Sequence, residues 1–298
     1  MIENVRKAAI FVALTYFLSY TLANLYFALG GQMGSPEALV MTLVYMFIPM
    51  GSAMVVQKLI YKQPVIGPLG ISFRFNRWFL VAWLVPPVIA FITLGVSLLF
   101  PGIVYTPDMA GMYERFQGLL TPEQIEAMKL QSAEMPLHPI WLGLAQGLIA
   151  GITVNAVAGF GEELGWRGLL HRELGYLGFW RSSAVIGLIW GLWHAPIILQ
   201  GYNYPQHPLA GVGMMTGFTI LLSPIFNYIR LKSGSVVAAA ILHGSLNGTF
   251  GLAVILIKGG DDLTVGVTGL AGLIALALAN VGLLLFDRVW AKHPITTD

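Results

Sequence analysis

The sequence predicts an all-α, polytopic membrane protein with about eight transmembrane helices, on three observations. Hydrophobic residues make up 56% of the 298-residue chain and charged residues only 10%, with a mean hydropathy of +0.75. A soluble globular domain carries roughly 25% charged residues. Apolar runs of about 20 residues recur, each long enough at about 1.5 Å per helical residue to cross a hydrocarbon core of about 30 Å. Lys and Arg gather in alternate connections between those runs, as in multi-pass proteins.

The runs cover approximately residues 8–29, 38–57, 78–101, 139–161, 182–200, 210–229, 235–257 and 264–286. The first follows Arg6 and Lys7 as a signal peptide would, but it exceeds the usual apolar core of about 7 to 15 residues and reads as a span. Pro64, Gly67, Pro68 and Gly70 mark turns between the second and third runs. The segment 102–138 is acidic, and its Thr121-Pro122-Glu123 predicts a helix start on the membrane surface, followed by Ile125, Met128 and Leu130. Hydropathy alone ends the fourth run at 161. Its helix extends further if Arg167, His171 and Arg172 are to meet the interface. Trp78, Trp141, Trp180 and Trp290 near helix ends read as interfacial anchors. With no internal repeat or soluble stretch, residues 1–298 read as a single membrane domain.

A cytoplasmic N-terminus would put 13 of the 16 basic residues on the inner side, leaving only Arg115, Lys129 and Lys258 outside. The positive-inside rule therefore predicts both termini in the cytoplasm. Cysteine is absent, which excludes disulfides, thiol catalysis and Cys-based metal sites. The expected partners are the bilayer and a peptide or protein substrate, with no nucleic acid.

Three ionisable groups fall inside the apolar runs, where such residues face a bundle interior or a wet cavity and point to function. They are Glu162 and Glu163 with Arg167, then His194 in WGLWH with Trp190, then His243 with Asn247 in HGSLN. Glu163 and Arg167 are i,i+4 neighbours and can pair, whereas Glu162 points about 100° away and is left free by that bridge. Trp190 and His194 share a helix face, as do His243 and Asn247. Counting rise per residue, Glu162 lies about 15 Å above Arg172, His243 about 12 Å beyond Ser235 and His194 about 20 Å beyond Arg181. These depths allow the three groups to meet in one cytoplasm-facing pocket. Glycine stripes at Gly143, Gly147, Gly151 and Gly159, and at Gly187, Gly191 and Ala195, read as close-packing scaffold. Asn155 reads as a hydrogen-bonding residue within the bundle.

The three motifs, EExxxR at Glu162, Glu163 and Arg167, aromatic-xxxH at Trp190 and His194, and HxxxN at His243 and Asn247, resemble those of the CPBP (ABI) family of intramembrane proteases. That family includes the Rce1-type CAAX prenyl endopeptidases. The likeness spans about 161–247. It departs from many members at Trp190, where they carry phenylalanine. The resemblance implies an eight-helix core and peptide hydrolysis by a glutamate-activated water, with no cofactor. It casts Glu162 as general base assisted by His194, Glu163 with Arg167 as the supporting pair, and His243 with Asn247 as oxyanion stabilisers. The chemistry agrees, since a carboxylate kept from water is a stronger base and two donors one turn apart can serve a developing oxyanion.

Three alternatives stand beside it. Glu and two His can supply a catalytic zinc site, although no H-E-x-x-H occurs and Asn247 is a poor zinc ligand. A silent scaffold or immunity-type protein would retain the same motifs. A transporter would use the buried groups as a proton relay, but would spread polar residues along a pathway.

Overall fold

The computed structural model describes residues 2–115 and 120–297. Its helices are α1 (Ile2–Ala28), α2 (Pro36–Met54), α3 (Arg77–Ser97), α4 (Ala110–Arg115), α5 (Pro122–Glu134), α6 (Pro139–Ile152), α7 (Val154–Glu163), α8 (His171–Leu174), α9 (Phe179–Trp193), α10 (Ala195–Ile198), α11 (Pro208–Ser233), α12 (Val236–Thr249) and α13 (Leu270–Val289). Two short strands, β1 (Val104–Tyr105) and β2 (Ile257–Lys258), pair antiparallel, Val104 opposite Lys258. The chain is thus an all-α integral membrane protein with one minimal two-stranded pairing between distant loops.

Among the described residues six helical stretches are long and apolar enough to span a bilayer, or seven if α5 and α6, bent by 97°, form one broken span. Two of the eight apolar runs are built differently from the rest. The run at 139–161 is divided at Thr153, where φ −119° and ψ −109° interrupt the helix. The Thr153 hydroxyl donates back to the Ile149 carbonyl at 2.7 Å, the local bond by which Thr competes with a regular ladder. Beyond the break, α7 continues through a π-helical segment at Leu164–Leu170 into α8, so helix does pass Glu162 and reach Arg172. The run at 182–200 becomes the 15-residue α9 followed by α10.

Caps fall where the sequence chemistry puts them. Thr121 and Gln124 form a reciprocal capping box ahead of α5 with proline at its first turn. Asn76 caps α3 and Ser235 caps α12 through their side-chain oxygens. The buried α12 lies against α3, α6, α7 and α11, and the glycine stripes make those approaches close. A Cβ at Gly151 would sit 2.7 Å from Ser245 Oγ, and in the separate contact of α9 with α11 one at Gly191 would sit 2.5 Å from the Thr216 Cα. Asn155 donates to the Gly244 carbonyl at 3.4 Å, between α7 and α12.

The bundle has two distinct ends. At one, Lys7 reaches Gln63 (2.8 Å) and Glu173 (3.2 Å), Ser235 bonds the Ser72 carbonyl, and Asn76 bonds that of Ser233. This end carries Lys58, Arg172, Arg181 and Arg230. At the other end lie the β1–β2 pair, the bond from the Tyr204 hydroxyl to the Thr268 carbonyl (2.8 Å), and the His207 to Asp262 contact (2.7 Å). The Asp262 carboxylate, by bonding the His207 ring, raises His207 above the ordinary histidine range.

Candidate active site

Glu162 and Glu163 end α7, and both are buried with no more than 2% of their surface exposed. Because consecutive helical residues diverge, they face different surroundings. Glu163 turns inward to Arg167, whose Nη1 lies 3.1 Å from its Oε2. Arg167 is fully buried; its Nη2 donates to Ser223 Oγ at 3.0 Å, and its guanidinium lies 4.4 Å from the ring centres of both Trp190 and Phe226. Such a stack offsets part of the cost of burying the charge.

Glu162 turns instead to a cavity of about 120 Å³, which holds several waters or one amino-acid side chain. Trp190, His194, His243 and Asn247 line the same cavity, so the structure brings the three sequence motifs together from α7, α9 and α12. Glu163 and Arg167 stand behind this wall. Glu162 is not free of partners, as its separation from Arg167 alone suggested. The Trp190 indole donates to its Oε2 at 2.8 Å, a bond phenylalanine cannot make. Its Oε1 lies 3.9 Å from His243 Nε2.

Each histidine has one nitrogen committed. His243 Nδ1 is 2.8 Å from Glu163 Oε1, and an ionised carboxylate only accepts, so the Nδ1 hydrogen is on the histidine. The remaining Nε2 is the atom facing Glu162. His194 Nδ1 lies 2.8 Å from the Trp190 carbonyl one turn back, which again requires a donor at Nδ1 and leaves Nε2 for the cavity. Asn247 is exposed into the cavity and has no hydrogen-bond partner among the described residues. Among those residues no group of three His, Cys, Asp or Glu side chains is arranged to hold a metal ion.

Sequence spacing missed several cavity residues. Tyr45 and Met46 come from α2, Tyr202 and Asn203 from the loop after α10, and Thr268 from the loop before α13. They share no helix with a motif, and only Asn203, at φ +60°, has unusual backbone.

Three of the cavity residues come from loops at one end of the bundle. Tyr202, Asn203 and Thr268 belong to the end opposite Lys58, Arg172, Arg181 and Arg230. Rise per residue allowed the three groups to meet, and they line one cavity, but it contained no information on which loops would join them.

Residues 141–249 match the family model for Type II CAAX prenyl endopeptidase Rce1-like. The chain is also 29% identical over 134 residues to a CAAX prenyl protease 2 of Methanococcus maripaludis, covering 43% of this chain and 46% of that relative. It thus spans less than half the length of the curated relative it matches. The matched segment contains all three motifs and both helices that carry the paired carboxylates and the buried histidine. Motif, family model and relative agree that this chain carries an Rce1-like region at residues 141–249 and resembles the Rce1-type CAAX prenyl endopeptidases of the CPBP family.

Proposed function

We propose that this protein is an intramembrane endopeptidase that hydrolyses peptide bonds with a water activated by Glu162, acting on CAAX-type or other membrane-associated peptides. The observation that carries the reading is the division of labour between two adjacent carboxylates. Glu163 is consumed by Arg167 and His243, while Glu162 faces a cavity with an oxygen oriented by Trp190.

In this reading Glu162 takes a proton from water as the water oxygen attacks the scissile carbonyl carbon. His194 Nε2, with its other nitrogen fixed by the Trp190 carbonyl, accepts the second hydrogen bond of that water. The carbonyl π electrons move to oxygen, and the Asn247 amide donates to the charge that develops there. Collapse breaks the carbon–nitrogen bond, and the proton held by Glu162 passes to the leaving amine. His243, tied to Glu163 and facing Glu162, holds the two carboxylates in register. The residues supply base, orientation and oxyanion donor without requiring a metal, which favours glutamate over zinc chemistry.

The test compares purified wild type and two variants in proteoliposomes, on a C-terminal peptide with and without a prenyl group. Glu162→Gln is expected to abolish cleavage with the thermal transition retained. Glu163→Gln should also destabilise the protein by about 3 to 5 kcal/mol, since it breaks one side of a buried ion pair. Dialysis against a strong chelator should leave wild-type activity unchanged. Cleavage by Glu162→Gln at the wild-type rate, or activity lost on chelation and restored by zinc, would overturn the mechanism. A wild type that binds but cleaves no peptide would make this a scaffold.

A further inference from the structure

We propose that the groove between α3 and α7 binds one anionic phospholipid from the leaflet at the basic end of the bundle, with an acyl chain in the groove and the phosphate at Arg74 and Arg77. No step of peptide hydrolysis uses this face.

Helices α3 and α7 each pack along α12 and leave a gap between them. The gap is a cavity of about 730 Å³, against about 120 Å³ for the one that Glu162 lines. Phe79 and Trp83 of α3, Val157 and Phe160 of α7, Ile241 of α12 and Phe47 of α2 line it. Its few polar side chains are already bonded. The Trp83 indole donates to the Leu148 carbonyl at 2.8 Å, and the Thr153 hydroxyl to that of Ile149 at 2.7 Å. The Asn76 amide donates to the Ser233 carbonyl and accepts from the Trp78 N–H. An apolar cavity whose side chains have no free donor or acceptor stays dry and takes hydrocarbon. Leu80 and Val157 on its two walls are exposed, so in a bilayer it meets the lipid chains.

The groove has the depth of one leaflet. Its shallow end is at the basic end of the bundle, where Asn76 bonds the Ser233 carbonyl and Ser235 bonds that of Ser72. Its deep end is at Trp83, whose carbonyl accepts from the Ser245 hydroxyl at 2.9 Å. Ten residues of sequence separate Ser235 from Ser245. At the helical rise this is about 15 Å, half of a hydrocarbon core of about 30 Å. The chain of a peptide being cleaved fits less well here. A helix turns by about 200° from Phe160 to Glu162, and again from Ile241 to His243, so the groove and the cavity of Glu162 lie on opposite faces of α7 and α12.

Charge selects the head group. Arg74 and Arg77 flank Phe75 and Asn76, which line the shallow end, and both arginines are exposed. Neither has an ion-pair partner among the described residues. The Arg77 guanidinium lies 5.4 Å from the Trp78 ring centre, a contact that steadies it at the mouth of the groove. Guanidinium forks match phosphate oxygens, and basic residues beside a gap between helices favour anionic over zwitterionic lipids.

The test uses the full chain in neutral-detergent micelles, with phosphatidylglycerol carrying a diazirine on one acyl chain as the probe and crosslinked peptides read by mass spectrometry. Crosslinks should concentrate on residues 79–83 and 152–160. Unlabelled phosphatidylglycerol should displace the probe at a mole fraction about 25-fold lower than phosphatidylcholine, about fivefold for each arginine. Arg74→Gln with Arg77→Gln should remove that preference. Val157→Trp, which fills the groove from an exposed position, should abolish the crosslinks with the thermal transition retained. If Val157→Trp does not fold, Leu80→Trp on the opposite wall makes the same test. Crosslinks spread evenly over the lipid-facing helices, equal displacement by both lipids, or groove crosslinks that persist in a folded Trp variant would overturn the site. Displacement by a prenylated peptide at a lower mole fraction than phosphatidylglycerol would assign the groove to substrate and overturn the phospholipid as its occupant. None of these readouts needs cleavage, so a wild type without activity leaves the test intact.

Discussion

Trp190 couples all three motifs. It donates to Glu162, accepts the His194 imidazole on its carbonyl, covers one face of the Arg167 guanidinium and packs with its ring centre 5.8 Å from that of His243. Its indole N–H is spent on one carboxylate oxygen, which leaves the other to receive a proton. A hydrogen bond to a charged group contributes about 1.5 to 3 kcal/mol, so Trp190→Phe should lower kcat by about 10- to 100-fold while the aromatic stack on Arg167 persists. Cleavage kinetics beside a thermal melt measure this; unchanged kcat would show that Glu162 is oriented by other means. The Glu163 to Arg167 pair was legible in the sequence because both ends sit one turn apart on one helix. The Trp190 bond to Glu162 was not. It joins residues 28 positions apart on different helices, and no periodicity within one helix encodes their relative rotation.

The helices are placed by what their small residues allow. Gly187 and Gly191 let α9 approach α11 so closely that a Cβ on either would sit 2.5 Å from a backbone Cα, that of Ile220 or Thr216. Since α9 also bears Trp190 and leads to His194, this contact sets the distance of two cavity residues from Glu162. Gly191→Ala should therefore reduce thermal stability by about 1 to 3 kcal/mol, the usual cost of overpacking, and reduce activity as well. Thr219→Ala should not restore either, because the obstructing Thr216 atom is backbone. An unaltered melt in Gly191→Ala would mean that α9 shifts freely. The glycine stripes were visible as four-residue repeats, and so was the start of α5 through Thr121 and Pro122. The division of the fourth apolar run was hidden. Hydropathy reads the composition of residues 139–161 and is blind to the hydroxyl of Thr153 bonding its own helix.

At the scale of the whole molecule, the two ends differ in charge and in access. Lys58, Arg172, Arg181 and Arg230 lie at one end, and the loops around Tyr202 and Thr268 reach the cavity from the other. Translocating a short basic loop is unfavourable, so the basic end is expected to stay in the cytoplasm and the cavity to be reached from the opposite side or from within the bilayer. The chain offers a direct measurement, because it contains no cysteine and any introduced thiol is unique. Arg181 and Gln206 are both exposed and lie at opposite ends of the bundle. With a membrane-impermeant maleimide on intact cells, Gln206→Cys should label at once and Arg181→Cys only after permeabilisation. The reverse pattern would place the Tyr202 loop in the cytoplasm and the termini outside. The distribution of Lys and Arg would then have failed as a guide to orientation, and a peptide tail would have to approach from the cytoplasmic side.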